Sequence, residues 1–351
     1  MPVNFIIIKI FLLTTVSFIL AFLLTPALTH FLYRYKMGKQ IRNESSSPIF
    51  FKLHQHKSGT PTMGGIIIWL TTLLLAFLFL ILSNFVPAGS FLNLNFLTRS
   101  ETWLPLGVLV ASAIVGLVDD WLGVRGIGPH GGGLKVKHKL LIYAAIALVG
   151  AAWFYFKLGW DTLHVPFLGN FALGWWYLPI FVFTIVATAF SVNETDGLDG
   201  LAGGVLLTSF GSLGVISFSL GKYNLAAFCG VIVGALLAFL WFNINPARFI
   251  MGDTGSMSLG ITLGIVAMVT NTALFLPVIS AVLVIESLSV IIQLTSKKLR
   301  RGKKVFLSSP LHHHLEALGW SEPKIVMRFW VISGVTSAIG LILFLLDKAK
   351  F

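Results

Sequence analysis

Long apolar runs separated by short polar segments recur from one end of the chain to the other, and ten are long enough to be read as membrane-crossing helices. A hydrocarbon core of about 30 Å takes about 20 apolar residues in helical form. The first five runs are roughly Phe5 to Phe31, Met63 to Asn84, Trp103 to Val118, Leu140 to Phe156 and Trp176 to Val192. The second five are roughly Leu201 to Leu220, Leu225 to Trp241, Gly255 to Thr270, Ala273 to Thr295 and Ile325 to Leu346. A membrane barrel would need strands of about ten alternating residues, and no segment shows that alternation. The pattern predicts an all-α polytopic membrane protein.

Composition agrees: 56% of the 351 residues are hydrophobic and 11% charged, with a mean hydropathy of +0.89. The first run lacks a small-x-small cleavage site and is too long for a secretion signal, so it is expected to stay in the mature chain. The single cysteine, Cys229, lies within a run, which leaves neither a disulfide framework nor a thiol metal site.

A net charge of +12 raises the question of nucleic acid. Distribution answers it. When alternate loops are assigned to alternate sides, 19 of the 25 Lys and Arg, counting Arg328, fall on one side. The positive-inside rule makes that side cytoplasmic and turns both termini outward. Topology and anionic ligands account for the charge, and no nucleic acid partner is expected.

Six of the 13 acids fall in three short segments, VDDW with Asp119 and Asp120, NETDGLDG with Glu194, Asp196 and Asp199, and MGDTGS with Asp253. All three lie at the same predicted face. Asp119 and Asp120 stand where a helix would rather finish with Lys or Arg, because its C-terminal end is the negative pole of the dipole. That placement points to a cation or a phosphate-linked role. The following GGGLKVKHKLL offers Lys135, Lys137 and Lys139 as phosphate contacts or simple topological anchors. Asn193, Asp196 and Asp199, spaced at three, are expected to share one face of a first helical turn. Asp253 precedes a helix beside free N–H groups, and hard oxygen donors of this kind suit Mg²⁺ rather than zinc. Asn243 and Asn245 add neutral hydrogen-bonding groups. Glu286, an acid inside a span, is either functional or bonded to Ser287 or another helix.

Three consecutive histidines, His312 to His314, project in different directions, unlike the i, i+4 pair of a helical zinc set. They are expected on a cytoplasmic loop able to carry positive charge near phosphate. A short amphipathic helix beside them would turn Leu311, Leu315 and Leu318 to lipid.

Together HQHKSGTPTMGG, VGLVDDW, GLKVKHKLLI, NETDGLDGLAGG, FNINPARFIMGDTGS, SVIIQ and PLHHHLEALGW resemble, in order along nearly the whole chain, the bacterial phospho-N-acetylmuramoyl-pentapeptide transferase family (translocase I). That family sits within the polyprenyl-phosphate N-acetylhexosamine-1-phosphate transferase superfamily. The resemblance implies a ten-helix enzyme forming one transmembrane catalytic domain, residues 1–351, in the bacterial cytoplasmic membrane, with its cleft facing the cytoplasm. It implies transfer of phospho-N-acetylmuramoyl-pentapeptide from UDP-N-acetylmuramoyl-pentapeptide to undecaprenyl phosphate, giving lipid I and UMP, with Mg²⁺ as cofactor and a homodimer as a possible assembly. By motif, Asp119, Asp120 and Asp253 match the catalytic aspartates, with Asp253 also the metal ligand. Lys57, Thr62, Lys139, Asn193, Asp196, Asp199, Asn243, Gln293, His312, His313 and His314 match positions lining the substrate site. Asp119 is the expected base or activator of the lipid phosphate; direct attack and an aspartyl intermediate both stay open. Ile250 stands where the family has Phe, Tyr143 where Gln is common, and Glu194 where a neutral residue is usual. A transporter would place its acids near the midplane, often with repeats, and a sibling enzyme using another UDP-sugar would lack the histidine run.

Overall fold

The structure is a computed structural model that describes residues 2–38, 54–86, 93–99, 101–128 and 132–350. Lys39, Arg42 and Lys52 of the basic loop, and Gly131 of the glycine run, lie outside the described residues.

Each of the ten expected runs contains a helix: α1 (Val3–Arg34), α2 (Ile66–Leu82), α3 (Trp103–Val124), α4 (Val136–Ala152), α5 (Tyr177–Thr195), α6 (Leu201–Ser219), α7 (Tyr223–Asn243), α8 (Asp253–Val269), the broken pair α9 (Leu276–Ile279) and α10 (Ala281–Leu299), and, after the short α11 (Leu311–Ala317), α12 (Glu322–Lys350). Seven of these segments, among the described residues, are long and apolar enough to cross a membrane; α2 and α8 are apolar but shorter, at 17 residues each. Helix α8 is the axis of the core. Every residue from Thr254 to Val269 is buried, with α3 and α5 packed along it and α7 sandwiched between α1 and α6. A helix buried on every side obtains its cover from neighbouring helices rather than lipid.

Three lysines near the ends of the described chain bond to connections between helices. Lys9 Nζ donates to the Asn95 carbonyl at 2.5 Å, Lys350 Nζ to that of Phe167 at 2.8 Å, and Lys348 Nζ to that of Ser219. Lys9, Lys348 and Lys350 therefore sit with the connections around residues 93–99, 158–176 and 219–222, and the three acidic segments lie at the opposite end of the helices.

Three local expectations fail. Helix α3 does not stop at Val118 but runs on through Trp121 to Val124, so Asp119 and Asp120 sit inside its last turns, their charge met by partners from other elements. An antiparallel hairpin, β1 (Thr162–Val165) with β2 (Gly169–Ala172), was not foreseen; its strands have four residues each, too short for alternation to show. The run from Ala273 to Thr295 is two helices because the backbone leaves helical geometry at Ser280, φ −110° and ψ 41°, whose hydroxyl instead donates to Ser209 Oγ at 2.8 Å.

Candidate active site

Two carboxylates from distant parts of the chain meet across one ammonium. Lys139, on the first turn of α4, places Nζ 2.7 Å from Asp119 Oδ2 and 2.9 Å from Asp253 Oδ2. Asp119 Oδ1 also accepts the Leu134 N–H at 2.5 Å. Asp253 is the first residue of α8, where an acid is favoured by the positive end of the dipole. Its Oδ1 accepts from Asn193 Nδ2 at 2.5 Å, and the same amide reaches Ser256 Oγ at 3.1 Å.

Asp120 points the other way and closes the start of α8. Its carboxylate accepts the N–H groups of Asp253 and Thr254, both at 3.0 Å, and the Thr62 hydroxyl at 3.2 Å. Two donors orphaned at a buried helix start are thereby satisfied by a residue 133 positions away. Between them Gly252 turns at φ 74°, donating its N–H to Asp196 Oδ2 at 3.1 Å. A Cβ there would lie 2.5 Å from Asp120 Oδ2, so only glycine closes this turn.

A second cluster adjoins through the 193–199 segment. Lys57 Nζ bridges Asp199 Oδ1 at 2.7 Å and Glu322 Oε1 at 2.5 Å. Glu322 also accepts the Asp199 N–H at 2.6 Å, and Asn245 Nδ2 lies 3.1 Å from Asp199 Oδ2 and 3.2 Å from Glu322 Oε2.

The histidines sit on helix α11, not on a loop, after a cis peptide bond between Ser309 and Pro310. Leu311 and Leu315 pack onto the protein core and only Leu318 is exposed, which corrects the lipid-facing assignment. His312 and His313 are buried and His314 is half-buried, accepting the Leu307 N–H on Nδ1 at 3.2 Å. His313 Nδ1 and His54 Nε2 both bond Glu316 Oε2, at 2.7 and 3.0 Å. Burial, together with neighbouring His312, pushes His313 down to about 3 despite the favourable Glu316. Burial alone would raise Glu316, but the hydrogen bonds from His313 and His54 outweigh it and hold the acid down to about 2. His313 is thus neutral at physiological pH, not the phosphate-facing cation expected from the sequence.

The 193–200 segment is the hub. Asn193 reaches Asp253, Asp196 reaches Gly252, Asp199 reaches Lys57, and a Cβ at Gly197 would lie 2.2 Å from His312 Nε2. The three polar residues do not share a first helical turn: Asn193 lies in the last turn of α5, Asp196 caps it and Asp199 lies in the turn before α6. Of the expected site residues, Asn243 and Gln293 hold backbone. Asn243 accepts the Gly200 N–H at 2.9 Å and donates to the Phe249 carbonyl at 2.8 Å. Gln293 accepts the Val305 and Phe306 N–H groups at 2.9 and 3.0 Å and donates to the Phe306 carbonyl at 2.8 Å. Phe249 does not stand in for the family's aromatic residue, because it is buried against Phe239 and Phe242.

Sequence reasoning missed Glu322, Glu316 and His54. An acid in the first turn of a helix, as Glu322 is in α12, reads as a favourable dipole partner and hides its contact with Lys57. His54, three residues before Lys57 in the HQHK stretch, was the available signal.

The donor set fits a hard cation. Asp119 and Asp253 offer carboxylate oxygens to one point, and the Lys139 ammonium shows that the point attracts positive charge. His54, His313 and Glu316 also place ligand atoms within 4.8 Å of one another, but two nitrogens and an already bonded carboxylate suit Mg²⁺ poorly.

Fold and site define a helical membrane protein that gathers carboxylates and lysines at one end of its bundle. Residues 102–271 match the Glycosyl transferase family 4 profile, and residues 57–68 match Phospho-N-acetylmuramoyl-pentapeptide-transferase signature 1. The chain is 39% identical over 347 residues to the phospho-N-acetylmuramoyl-pentapeptide-transferase of Chloroflexus aggregans, covering 95% of this chain and 89% of that protein. It is 40% identical over 329 residues to the protein of that name from Geobacillus thermodenitrificans, covering 93% and 95%. The chain belongs to the phospho-N-acetylmuramoyl-pentapeptide-transferase family, and so to the phospho-sugar transferases.

Proposed function

We propose that the protein transfers phospho-N-acetylmuramoyl-pentapeptide from UDP-N-acetylmuramoyl-pentapeptide to undecaprenyl phosphate, releasing UMP and forming lipid I in peptidoglycan synthesis. The bridge from Asp119 through Lys139 to Asp253 carries this reading. Joining two anionic phosphates requires positive charge at the reacting centre and a carboxylate beside the attacking oxygen. Lys139 supplies the fixed charge and stabilises the charge that develops on the pyrophosphate. Asp119, held by the Leu134 N–H and Lys139, is the group we assign to activate the lipid phosphate, a reading those two contacts support. Asp253 and Asp119 would hold Mg²⁺, which when bound neutralises pyrophosphate charge. Asp120 positions Asp253 by fixing the start of α8.

Lys57, Asp199, Thr62, Asn193, Asp196 and the histidine helix border the nucleotide-sugar, while Asn243 and Gln293 support it through the backbone they hold. Leu117 and Val118, directly before Asp119, line an apolar cavity of about 350 Å³ with Phe31, Leu32, Met63 and Trp121, room for part of a polyprenyl chain. The end of the bundle bearing the site carries the excess Lys and Arg, which supports a cytoplasmic orientation in the cell's inner membrane.

The test is mass spectrometry of the lipid product after purified protein meets undecaprenyl phosphate and either UDP-N-acetylmuramoyl-pentapeptide or UDP-N-acetylglucosamine. A muramoyl-pentapeptide pyrophosphoryl lipid is expected from the first alone. A product only from the second would reassign the chain to another phospho-sugar transferase specificity.

A further inference from the structure

Glu286 in α10 is fully buried, the most deeply buried acid among the described residues, and nothing above uses it. Its carboxylate receives His312 twice: ring Nδ1 at 2.9 Å to Oε2, and the backbone N–H at 3.2 Å to Oε1. The backbone N–H of His312 already makes the Glu286 carboxyl an acceptor toward this residue, and the same role toward the ring puts the proton on His312 Nδ1. In the neutral ring, Nε2 is then a bare acceptor. That nitrogen is buried without a hydrogen-bond partner, an exception it shares in this region with the Tyr143 hydroxyl.

Its direction is given by Gly197. A Cβ at that glycine would lie 2.2 Å from His312 Nε2 and 3.2 Å from His313 Nε2. The lone pair therefore faces the Asp196–Gly197 turn, between the side chains that reach Asp253 and Lys57. An orphaned buried acceptor costs free energy, and one that faces the site is a candidate for pairing when a ligand binds.

We propose that Glu286 is a positioning residue that fixes His312 as the Nδ1–H tautomer, so that Nε2 accepts a hydrogen bond from an O–H or N–H of the bound nucleotide-sugar beside Gly197. The proposal rests on the transferase reading for its ligand, but its first measurement does not depend on activity. The logic is that of any buried acid that sets a histidine tautomer: the acid itself never touches the substrate.

Histidine ¹⁵N chemical shifts of the purified protein, with His312 assigned by loss of its signal in His312→Ala, report the tautomer directly. The wild type is expected to show protonated Nδ1 and bare Nε2. Glu286→Gln removes the preference, because a glutamine amide can donate to Nδ1 while accepting from the His312 backbone. In UMP release, Glu286→Gln and His312→Ala should each lower kcat by about tenfold or more. The double variant should be no slower than His312→Ala alone. A wild-type ring protonated on Nε2, alone or as the imidazolium, overturns the proposal, as does a wild-type kcat in Glu286→Gln or losses that multiply in the double variant. If Glu286→Gln does not fold, the wild-type spectrum still decides. Wild-type protein that shows the expected tautomer but releases no UMP would sink the transferase reading and leave the positioning geometry standing.

Discussion

Replacing Lys139 with Met keeps most of the side chain's volume and removes the one charge that separates Asp119 from Asp253. Lys139 Nζ lies 2.7 and 2.9 Å from the two carboxylates, and the three side chains are 18%, 4% and 21% exposed. At an effective dielectric of about 20, each contact is worth about 6 kcal/mol of direct attraction, most of it offset by desolvation. Deleting one partner of a buried pair leaves the other uncompensated and costs about 3–5 kcal/mol. Two carboxylates are left here, partly open to water, so about 3–4 kcal/mol is the expected loss. A cation that binds only the folded site restores about 2.7 kcal/mol at a hundred times its Kd. Thermal unfolding in detergent should show Lys139→Met several degrees below wild type in EDTA, with most of the gap closing in saturating Mg²⁺ and a smaller Mg²⁺ response in wild type. Equal melting temperatures in EDTA, or equal Mg²⁺ responses, would refute the view that Lys139 holds two carboxylates at a cation site.

Asp120→Asn leaves one oxygen for three donors at the start of α8 and should cost about 2–3 kcal/mol; unfolding at the wild-type temperature would contradict the capping role. Gly197→Ala must push its Cβ into His312 Nε2, so overpacking of about 1–3 kcal/mol and at least a tenfold loss of UMP release are expected; wild-type turnover would argue against the close approach. Stability should be level near neutral pH and fall below the ordinary histidine value of 6.5, because the unfolded chain takes a proton there that folded His313 refuses until about 3. Glu316, ionised down to about 2, adds a further loss below its ordinary 4.5, and a melting temperature flat from about pH 8 to about pH 4 would show that these groups are not held as described. Glu322→Gln weakens the clamp on Lys57 and should raise KM for the nucleotide-sugar severalfold with kcat nearly kept; an unchanged KM would remove Glu322 from the site.

The helices were legible because bilayer-length apolar runs leave few alternatives, and the end carrying the site was legible because charge counts by loop survive errors in span boundaries. Asp119, Lys139 and Asp253 could be named from motifs, but not the ammonium between the carboxylates, since the contact joins residues 114 positions apart. Asp119 and Asp120 looked alike as neighbours; in the helix they diverge, one into the cation bridge and the other onto the start of α8. Spacing suggested a shared face for Asn193, Asp196 and Asp199, yet the chain leaves the helix between the first and second, which sends each to a different partner. Glu286 and the histidines were hardest to read. Which way the His312 imidazole turns depends on an acid 26 residues away, and that contact is not written in a run of three histidines.

The account stands or falls on UMP release by purified protein given UDP-N-acetylmuramoyl-pentapeptide, measured with and without undecaprenyl phosphate, with Mg²⁺ or EDTA, for wild type and Asp253→Ala. The prediction is release that requires lipid, metal and Asp253 together. Release without lipid, or undiminished in Asp253→Ala, would contradict the assignment of the Asp119, Lys139 and Asp253 cluster as the reacting centre.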